Sequence, residues 1–267
     1  MNGWMNHVQV PGFRGWQMAA QYRDLDVSIG GVTFSTTGQE WAITQDSLIV
    51  MQSLTGWWDS VRVSTSTFDH SSGDGVVAGM QELEARTVTV SGFVAARTPA
   101  ALMEARDTVS RASGVMTIDE RARMLSREAT VRKVGLTWQR RTALLEFFTL
   151  TLQADDPLLY GSGVRDLSNG ANVLVNRGDR TAWPVLEVSG TGALTIAHAG
   201  GSYSLTATPS NQTRVVDLRN GDVWNGNVRM FGVESGPAPR VAPGGGSWTV
   251  SGIGSGSARV RRFEAWS

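Results

Sequence analysis

The residue types that most often bind metals or perform catalysis are few in this chain and widely separated. Cysteine is absent, and the three histidines, His7, His70 and His198, lie far apart in the sequence. Zinc sites usually draw on close Cys or His pairs, and no such pair is present. A metal site whose ligands are brought together by the fold remains an alternative. The spacing favours histidines that are exposed or hydrogen-bonded within the protein, and it predicts no metal ion.

Motifs that bind nucleotides or present a nucleophile are also missing. A P-loop places its lysine directly after glycine, whereas the sole lysine, Lys133, follows Arg132. There is no GxSxG elbow, and GIGSGS at 252–257, the nearest approach to a GxGxxG fingerprint, lies between two predicted strands, where a turn is the simpler interpretation. We therefore predict no catalytic residue and no cofactor.

Two pairs of adjacent acids are the remaining candidates for catalysis, because a glycosidase needs only two carboxylates beside its sugar. The pairs are Asp155–Asp156 and Asp119–Glu120. Neighbours on a strand point to opposite faces, and an Asp before Pro is common in turns. These acids therefore favour structural roles over a wall-degrading enzyme.

Two tripeptides match recognition signals without predicting a binding site. Residues 177–179 read RGD, the tripeptide of adhesion ligands, and Asn211 begins an NQT acceptor of the glycosylation type. Three residues recur easily by chance, and RGD here fits a turn that enters a strand.

Tryptophan is unusually frequent, with ten residues that include the pair Trp57–Trp58. Such side chains fill cores, anchor subunit contacts or stack on sugar rings. Three lie within or beside strand patterns, which favours core or interface: Trp138, Trp183 and Trp248. Three others lie in the less patterned N-terminal region and are predicted to make contacts between chains: Trp4, Trp16 and Trp41.

Length and charge limit the organisation and the partners. A chain of 267 residues exceeds a typical domain of roughly 100 to 200, so we expect two domains, with one large β-domain as the alternative. The 24 basic and 24 acidic residues cancel, so partners must be recognised by shape. The N-terminus does not resemble a signal peptide, and no apolar stretch approaches the roughly 20 residues of a membrane span. No membrane partner is expected.

Period-two alternation predicts strands at 87–94, 131–138 and from Leu144 towards Pro157. The second strand should place three residues on one face: Val134, Leu136 and Trp138. One helix interrupts this pattern, with Thr98 as its N-cap, Pro99 in its first turn and Gly114 beyond its end. Because Pro157 cannot donate to a ladder, the strand and the first domain, residues 1–157, should end there.

The second domain, residues 158–267, is rich in glycine and has turn signals every ten residues or so, which is typical of an all-β sandwich. Its predicted strands lie at 185–189, 194–196, 203–207 and 215–218. Asn220-Gly221 and Asn225-Gly226 predict tight turns. The last predicted pair is a hairpin in which GIGSGS joins Trp248 and Val250 to Val260.

Five segments of the second half are distinctive in their order and spacing. They are ADDPLLYG from Ala154, NRGDRTAWPVLEVSG from Asn176, VDLRNGDVWNGN from Val216, APGGGSWTV from Ala242 and FEAW from Phe263. In this order and spacing the chain resembles the distal tail protein family of siphophages. The resemblance covers most of residues 86–267, and residues 1–85 match only loosely.

The resemblance implies a mainly β fold, with an N-terminal β-rich belt domain that carries one α-helix and a C-terminal galectin-like β-sandwich. It implies a virion structural protein, a baseplate hub or minor tail protein, assembled in the bacterial host cytoplasm into a homo-hexameric ring at the tail tip. The ring's partners would be the tail tube protein and the tail-associated hub or tip protein, with DNA only in passage. The zero net charge of the chain suits that passage, since each phosphate neutralised adds affinity for DNA.

The alternative function is a carbohydrate-binding module for host cell-wall glycans, because galectin-like sandwiches bind sugars. Receptor-binding proteins and host surface glycans are accordingly further candidate partners. Galectin sites gather His, Asn, Arg and Trp on one sheet face. His198 and Trp224 are present, but they are separated from any obvious Asn and Arg set.

Overall fold

The computed structural model describes residues 24–36, 46–69 and 76–267, which are mostly strand. The first half contains the helix α1 (Pro99–Ser110), a 3-10 turn (Arg121–Arg123) and nine strands: β1 (Leu25–Ile29), β2 (Val32–Phe34), β3 (Ser47–Thr55), β4 (Val63–Asp69), β5 (Val76–Leu83), β6 (Arg86–Ala96), β7 (Gly114–Glu120), β8 (Leu125–Thr142) and β9 (Leu145–Ala154). Within the described ranges, no helix is both long and apolar enough to span a membrane.

The second half adds short strands only: β10 (Leu159–Gly161), β11 (Val164–Leu167), β12 (Gly170–Leu174), β13 (Val185–Ser189), β14 (Leu194–His198), β15 (Gly201–Leu205), β16 (Thr213–Asp217), β17 (Asp222–Asn225), β18 (Val228–Met230), β19 (Glu234–Ser235), β20 (Gly246–Ser251), β21 (Ser257–Arg261) and β22 (Ala265–Trp266). The predicted fold class, mainly β with one helix in the first half, is confirmed.

Seven antiparallel strands of the first half form a nearly closed, barrel-like sheet in the order β2-β1-β7-β8-β9-β6-β3. Its two edges meet at a parallel bridge between Ser35 and Val50. There the Ser35 amide donates to the Ile49 carbonyl and the Met51 amide donates to the Ser35 carbonyl, both at 2.9 Å. The inward side chains make the first hydrophobic core.

The alternation that predicted β6 and β9 matches their burial. Val88 and Val90 are fully buried, as are Leu150 and Leu152 on the paired strand. The prediction for β8 is wrong at Val134, which is 46% exposed. The register of β8 against β9 shifts between residues 133 and 135, so a bulge turns this one side chain outward. Leu136 and Trp138 still pack against the core.

Helix α1 begins as predicted and ends earlier. The Thr98 side chain accepts a hydrogen bond from the Ala101 amide at 3.1 Å, and Pro99 occupies the first turn. The buried face, which includes Leu102, lies on the first core. Arg111 in a right-handed conformation is the C-cap, so Gly114 is the first residue of β7 and does not cap the helix.

The second half is a two-sheet sandwich. The six-stranded sheet has the order β11-β21-β13-β16-β17-β18, and the five-stranded sheet has the order β12-β20-β14-β15-β19. Inward side chains of both sheets form the second hydrophobic core, in which Tyr203 and Trp248 are the largest buried residues. The predicted all-β sandwich is therefore present in this half.

The predicted C-terminal hairpin is wrong. Strand β20 pairs with β12 and β14, whereas β21 pairs with β11 and β13 in the opposite sheet. The GIGSGS segment is therefore a crossover between sheets. At Gly252, whose φ is +94°, an added Cβ would lie 2.0 Å from the Ala193 carbonyl oxygen. Alternation predicts which face of a strand is buried, but it does not identify the neighbouring strand.

Strands β4 and β5 form a two-stranded hairpin that pairs with no other strand of the described chain. Its last residue, Leu83, packs against the second core. A two-stranded hairpin without such packing is only marginally stable in water.

Candidate functional site at the junction of the two cores

The structure does not assemble a metal site from the residues that it describes. In those ranges, no three His, Asp or Glu side chains form a group that could hold an ion. The His198 ring accepts from the Gly200 amide through Nδ1 at 3.1 Å, and its Nε2 lies 3.0 Å from the Pro237 carbonyl oxygen. Both ring nitrogens of His198 therefore have a backbone partner within the sandwich. His7 and His70 lie outside the described residues.

The four acids of the two predicted pairs have different surroundings. Asp155 is exposed and pairs with Arg132 at 3.2 Å. Asp119 and Glu120 alternate on β7, so Glu120 is buried while Asp119 is half-buried on the opposite face. The Glu120 carboxylate accepts from the Trp58 indole at 3.2 Å. These contacts give the acids structural roles.

Strand β10, from the predicted junction segment, connects the two cores. Leu159 packs in the first core, while its neighbours Leu158 and Tyr160 pack in the second. The same strand pairs with β8 on one side and with the C-terminal strand β22 on the other. Both the segment after Pro157 and the C-terminal segment therefore tie the sandwich to the closed sheet. We define these residues and their polar partners as the junction.

Asp156 organises one part of the junction. Its carboxylate accepts from the Leu158 amide at 3.3 Å, which is the predicted turn contact, and from the Tyr160 hydroxyl at 2.7 Å. It also forms an ion pair with Arg219 of the sandwich, whose guanidinium donates to the Tyr160 hydroxyl at 3.3 Å. Sequence reasoning missed Arg219, because nothing local links it to a residue so distant in the chain.

Arg86 organises a second part. This buried side chain donates from Nε to the Pro157 carbonyl at 2.8 Å and from Nη1 to three further carbonyls: Gly56 at 3.0 Å, Trp57 at 2.7 Å and Asp59 at 2.8 Å. Burial lowers the pKa of Arg86, and the nearby Asp59 charge opposes that shift. The sequence held one signal for this role. Side chains two positions apart lie on the same face of a strand, so Arg86 shares the inward face of β6 with Val88 and Val90.

Asn176, in the NRGD segment, anchors the C-terminal strand. Its Nδ2 donates to the carbonyls of Arg180 at 2.7 Å and Val241 at 3.0 Å. Its Oδ1 accepts from the amides of Gly178 at 2.9 Å and Ala265 at 3.2 Å. All four hydrogen-bonding positions of the amide are therefore used.

The RGD tripeptide is part of this anchor. Arg177 pairs with the buried Glu264 at 2.7 Å, and a Cβ at Gly178 would lie 1.8 Å from the Ala265 carbonyl oxygen. Asp179 accepts from the amide and the hydroxyl of Ser267. Partial burial opposes ionisation of Asp179, but these hydrogen bonds outweigh it and lower its pKa. The turn interpretation fits this geometry better than an adhesion loop.

The two buried tyrosines provide a pH test of the packing. Burial, with the Asp156 carboxylate, raises the pKa of Tyr160 above the usual value of about 10. Burial and the hydrogen bond to Glu234 raise the pKa of Tyr203. A raised pKa in the folded state contributes stability in full below about pH 10, and that contribution is lost progressively as the pH rises further.

We expect the absorbance at 295 nm to show both tyrosines still protonated in the native protein at about pH 11 and ionised together on alkaline unfolding. Tyr203→Phe should remove one tyrosine equivalent from the unfolding step and leave the earlier titration unchanged. Ionisation of both below pH 10, with native circular dichroism, would contradict this packing. The third tyrosine, Tyr22, lies outside the described residues.

The tryptophans divide between core and surface. Trp57 and Trp248 are fully buried, one in each core, and Trp138 packs against the first core. Trp183 is half-buried, with the Arg240 guanidinium 5.9 Å from its ring. The three predicted to contact other chains lie outside the described residues: Trp4, Trp16 and Trp41.

The galectin-type arrangement of His198 and Trp224 is not formed. His198 ends β14 in the five-stranded sheet, whereas Trp224 lies on β17 in the six-stranded sheet. The two residues therefore do not share a sheet face, and a site built on that pair is excluded.

Comparison by sequence finds no known family profile and no curated protein that matches this chain. Comparison by structure finds the crystal structure of the SPP1 Dit (gp 19.1) protein, described as a paradigm of the hub adsorption apparatus in phages that infect Gram-positive bacteria. The TM-score is 0.53 at 14% identity, over 88% of this chain and 97% of that one.

A chain of the phage P2 baseplate, in its activated conformation with Ca, matches with a TM-score of 0.50 at 9% identity, over 89% of this chain and 98% of that one. The chain has the fold of a Dit protein. Because the Dit match extends over both the closed sheet and the sandwich, the resemblance to distal tail proteins is confirmed as a similarity of fold. The sequence identities are too low to carry functional residues across.

Proposed function

We propose that this protein is a non-catalytic structural component of a phage virion, a distal tail protein in the baseplate hub. The observation that carries the proposal is the Dit fold along nearly the whole chain. In this function, six copies form a ring at the tail tip that joins the tail tube protein to the tail-associated tip proteins. Residues 1–157 form the belt, residues 158–267 form peripheral domains, and DNA passes through the lumen.

The junction supports a connector role. A connector must hold its two parts at a fixed angle, and here two separate segments cross between the cores through β10 and β22. Asp156 adds an ion pair with Arg219 of the sandwich, and Arg86 fixes Pro157, where the chain leaves the belt. The equal numbers of acidic and basic residues also suit a conduit that must release DNA.

The β4–β5 hairpin is the proposed contact between ring subunits. It pairs with no other strand of the described chain, although Leu83 at its end packs against the second core. Packing against a neighbouring copy would add to the limited stability of a two-stranded hairpin. The contact would be heterologous, as a closed ring requires.

Analytical ultracentrifugation of the purified protein, alone or with its tube and tip partners, should give a ring mass of six chains. Negative-stain images should show an annulus with six-fold symmetry. Replacing residues 63–82 by a short Gly-Ser linker, which keeps Leu83 on the second core, should reduce that mass to one chain. The control is a linker of the same kind in place of 209–211, in the exposed loop between β15 and β16, which should leave the ring intact. Monomers under every condition would refute the ring, and a ring formed without the hairpin would refute this contact.

A further inference from the structure

One buried arginine of the sandwich has no carboxylate partner in the described chain. Arg214, the second residue of β16, is 6% exposed. Its Nη1 donates to the carbonyl and to the hydroxyl of Thr206, both at 3.0 Å. Its Nε is buried and has no acceptor among the described residues. A guanidinium stays charged in proteins, so its burial carries a desolvation cost that one neutral residue offsets only in part.

The other buried charged residues in the described ranges are all compensated. Glu120, Glu146 and Glu264 each pair with at least one arginine. Arg86 donates to four carbonyls. In this part of the chain, Arg214 is therefore the exception, a buried cation for which the protein supplies no counter-charge.

Two buried hydroxyls in the adjoining loops also have no hydrogen-bond partner in the part of the chain that the structure describes. They belong to Thr191, which is 3% exposed, and Thr208, which is 2% exposed. The Thr208 amide donates to the Thr191 carbonyl at 2.9 Å, so the two threonines are neighbours. Thr206, the contact of Arg214, lies two positions before Thr208. By contrast, the hydroxyl of the buried Thr36 has a carbonyl acceptor.

We infer that this end of the sandwich binds a small tetrahedral oxyanion of the phosphate type. Such an ion supplies the negative charge that Arg214 lacks and acceptors for the hydroxyls of Thr191 and Thr208. A water molecule would supply an acceptor without the charge. Arginine suits this ligand because its planar fork donates two parallel hydrogen bonds to two oxygens of one oxyanion.

The burial of these donors also limits the size of the ligand. The Nε of Arg214 and both threonine hydroxyls are inaccessible from the surface, so a small ion fits them and a charged polymer does not. A bound oxyanion would link the loops at 190–193 and 206–212 to β16 and would stabilise the sandwich. The site uses neither the junction nor a second chain, so it is independent of the proposed ring.

The test is titration calorimetry of the full chain with inorganic phosphate at constant ionic strength. We expect saturable binding of one phosphate per chain. The melting temperature should rise with phosphate concentration, because the donors are held together only in the folded state. Arg214→Met should weaken the affinity at least about tenfold, the value of a charge-assisted hydrogen bond. The matched control is Arg165→Met, which removes an exposed arginine of the same sandwich and should leave the affinity unchanged.

Three results would overturn the site: no binding of phosphate, an affinity that Arg214→Met leaves unchanged, and a stabilisation that sodium chloride reproduces at the same ionic strength. Tighter binding of acetate than of phosphate would refute a tetrahedral ligand. Should Arg214→Met fail to fold, Thr191→Val with Thr208→Val replaces it, since valine keeps the shape of threonine without the hydroxyl. An unchanged affinity in that double variant also refutes the site. Monomers that bind phosphate would support this inference while contradicting the ring.

Discussion

Replacing Arg86 by methionine is expected to lower the free energy of unfolding by about 3–5 kcal/mol. Methionine approximates the length and the apolar stem of arginine but supplies no donor. The substitution therefore leaves four carbonyls without their partner in a largely buried region, those of Gly56, Trp57, Asp59 and Pro157. Unpaired buried polar groups cost much more than the net value of an average hydrogen bond.

The measurement is guanidinium-induced unfolding followed by tryptophan fluorescence. The matched control is Arg132→Met, because Arg132 is exposed and its ion pair with Asp155 lies in solvent. Its free energy of unfolding should change by less than about 1 kcal/mol. Arg86→Lys should fall between the two, since one ammonium cannot reach both Pro157 and the carbonyls of 56–59. If Arg86→Met behaved like Arg132→Met, Arg86 would not hold the junction together.

Asn176→Ala is expected to lower the free energy of unfolding by about 3–4 kcal/mol. The wild-type side chain is 1% exposed and satisfies two carbonyls and two amides. Alanine leaves all four without partners and also opens a small cavity. The damage should concentrate at β22, because the amide of Ala265 loses its acceptor there.

Chemical denaturation gives the overall loss, and hydrogen exchange at the amide of Ala265 locates it. Asn176→Asp keeps the acceptor for Gly178 and Ala265 but directs a carboxylate at the carbonyls of Arg180 and Val241, so it should not restore stability. Asn211→Ala, at an exposed position, is the control and should be near neutral. Slow exchange at Ala265 in Asn176→Ala would contradict the anchoring role.

Features that depend on neighbouring residues were predictable from the sequence. The structure matches the prediction at three places: the N-cap and first turn of α1, the inward faces of β6 and β9, and the end of β9 before Pro157. The resemblance carried by the order of the motifs from Ala154 onward also predicted the fold that the structural comparison finds. For the helix cap, the buried faces and the strand end, the signal comes from residues a few positions apart, and local backbone chemistry produces it. The resemblance rests instead on the order of segments along the chain.

Features that depend on which distant segments meet were not predictable. The bulge at Val134 depends on the register against β9, and the GIGSGS crossover depends on which sheet each flanking strand joins.

The sequence by itself determined a mainly β chain with one helix, a break at Pro157 and few groups suited to catalysis. Only the tertiary structure decided what the polar residues of the junction do. The partners of three of these residues are 27 to 89 positions away in the chain: those of Arg86, those of Arg219 and two of the four partners of Asn176. A hydrogen bond needs its atoms within about 3 Å, and the sequence does not encode that proximity locally.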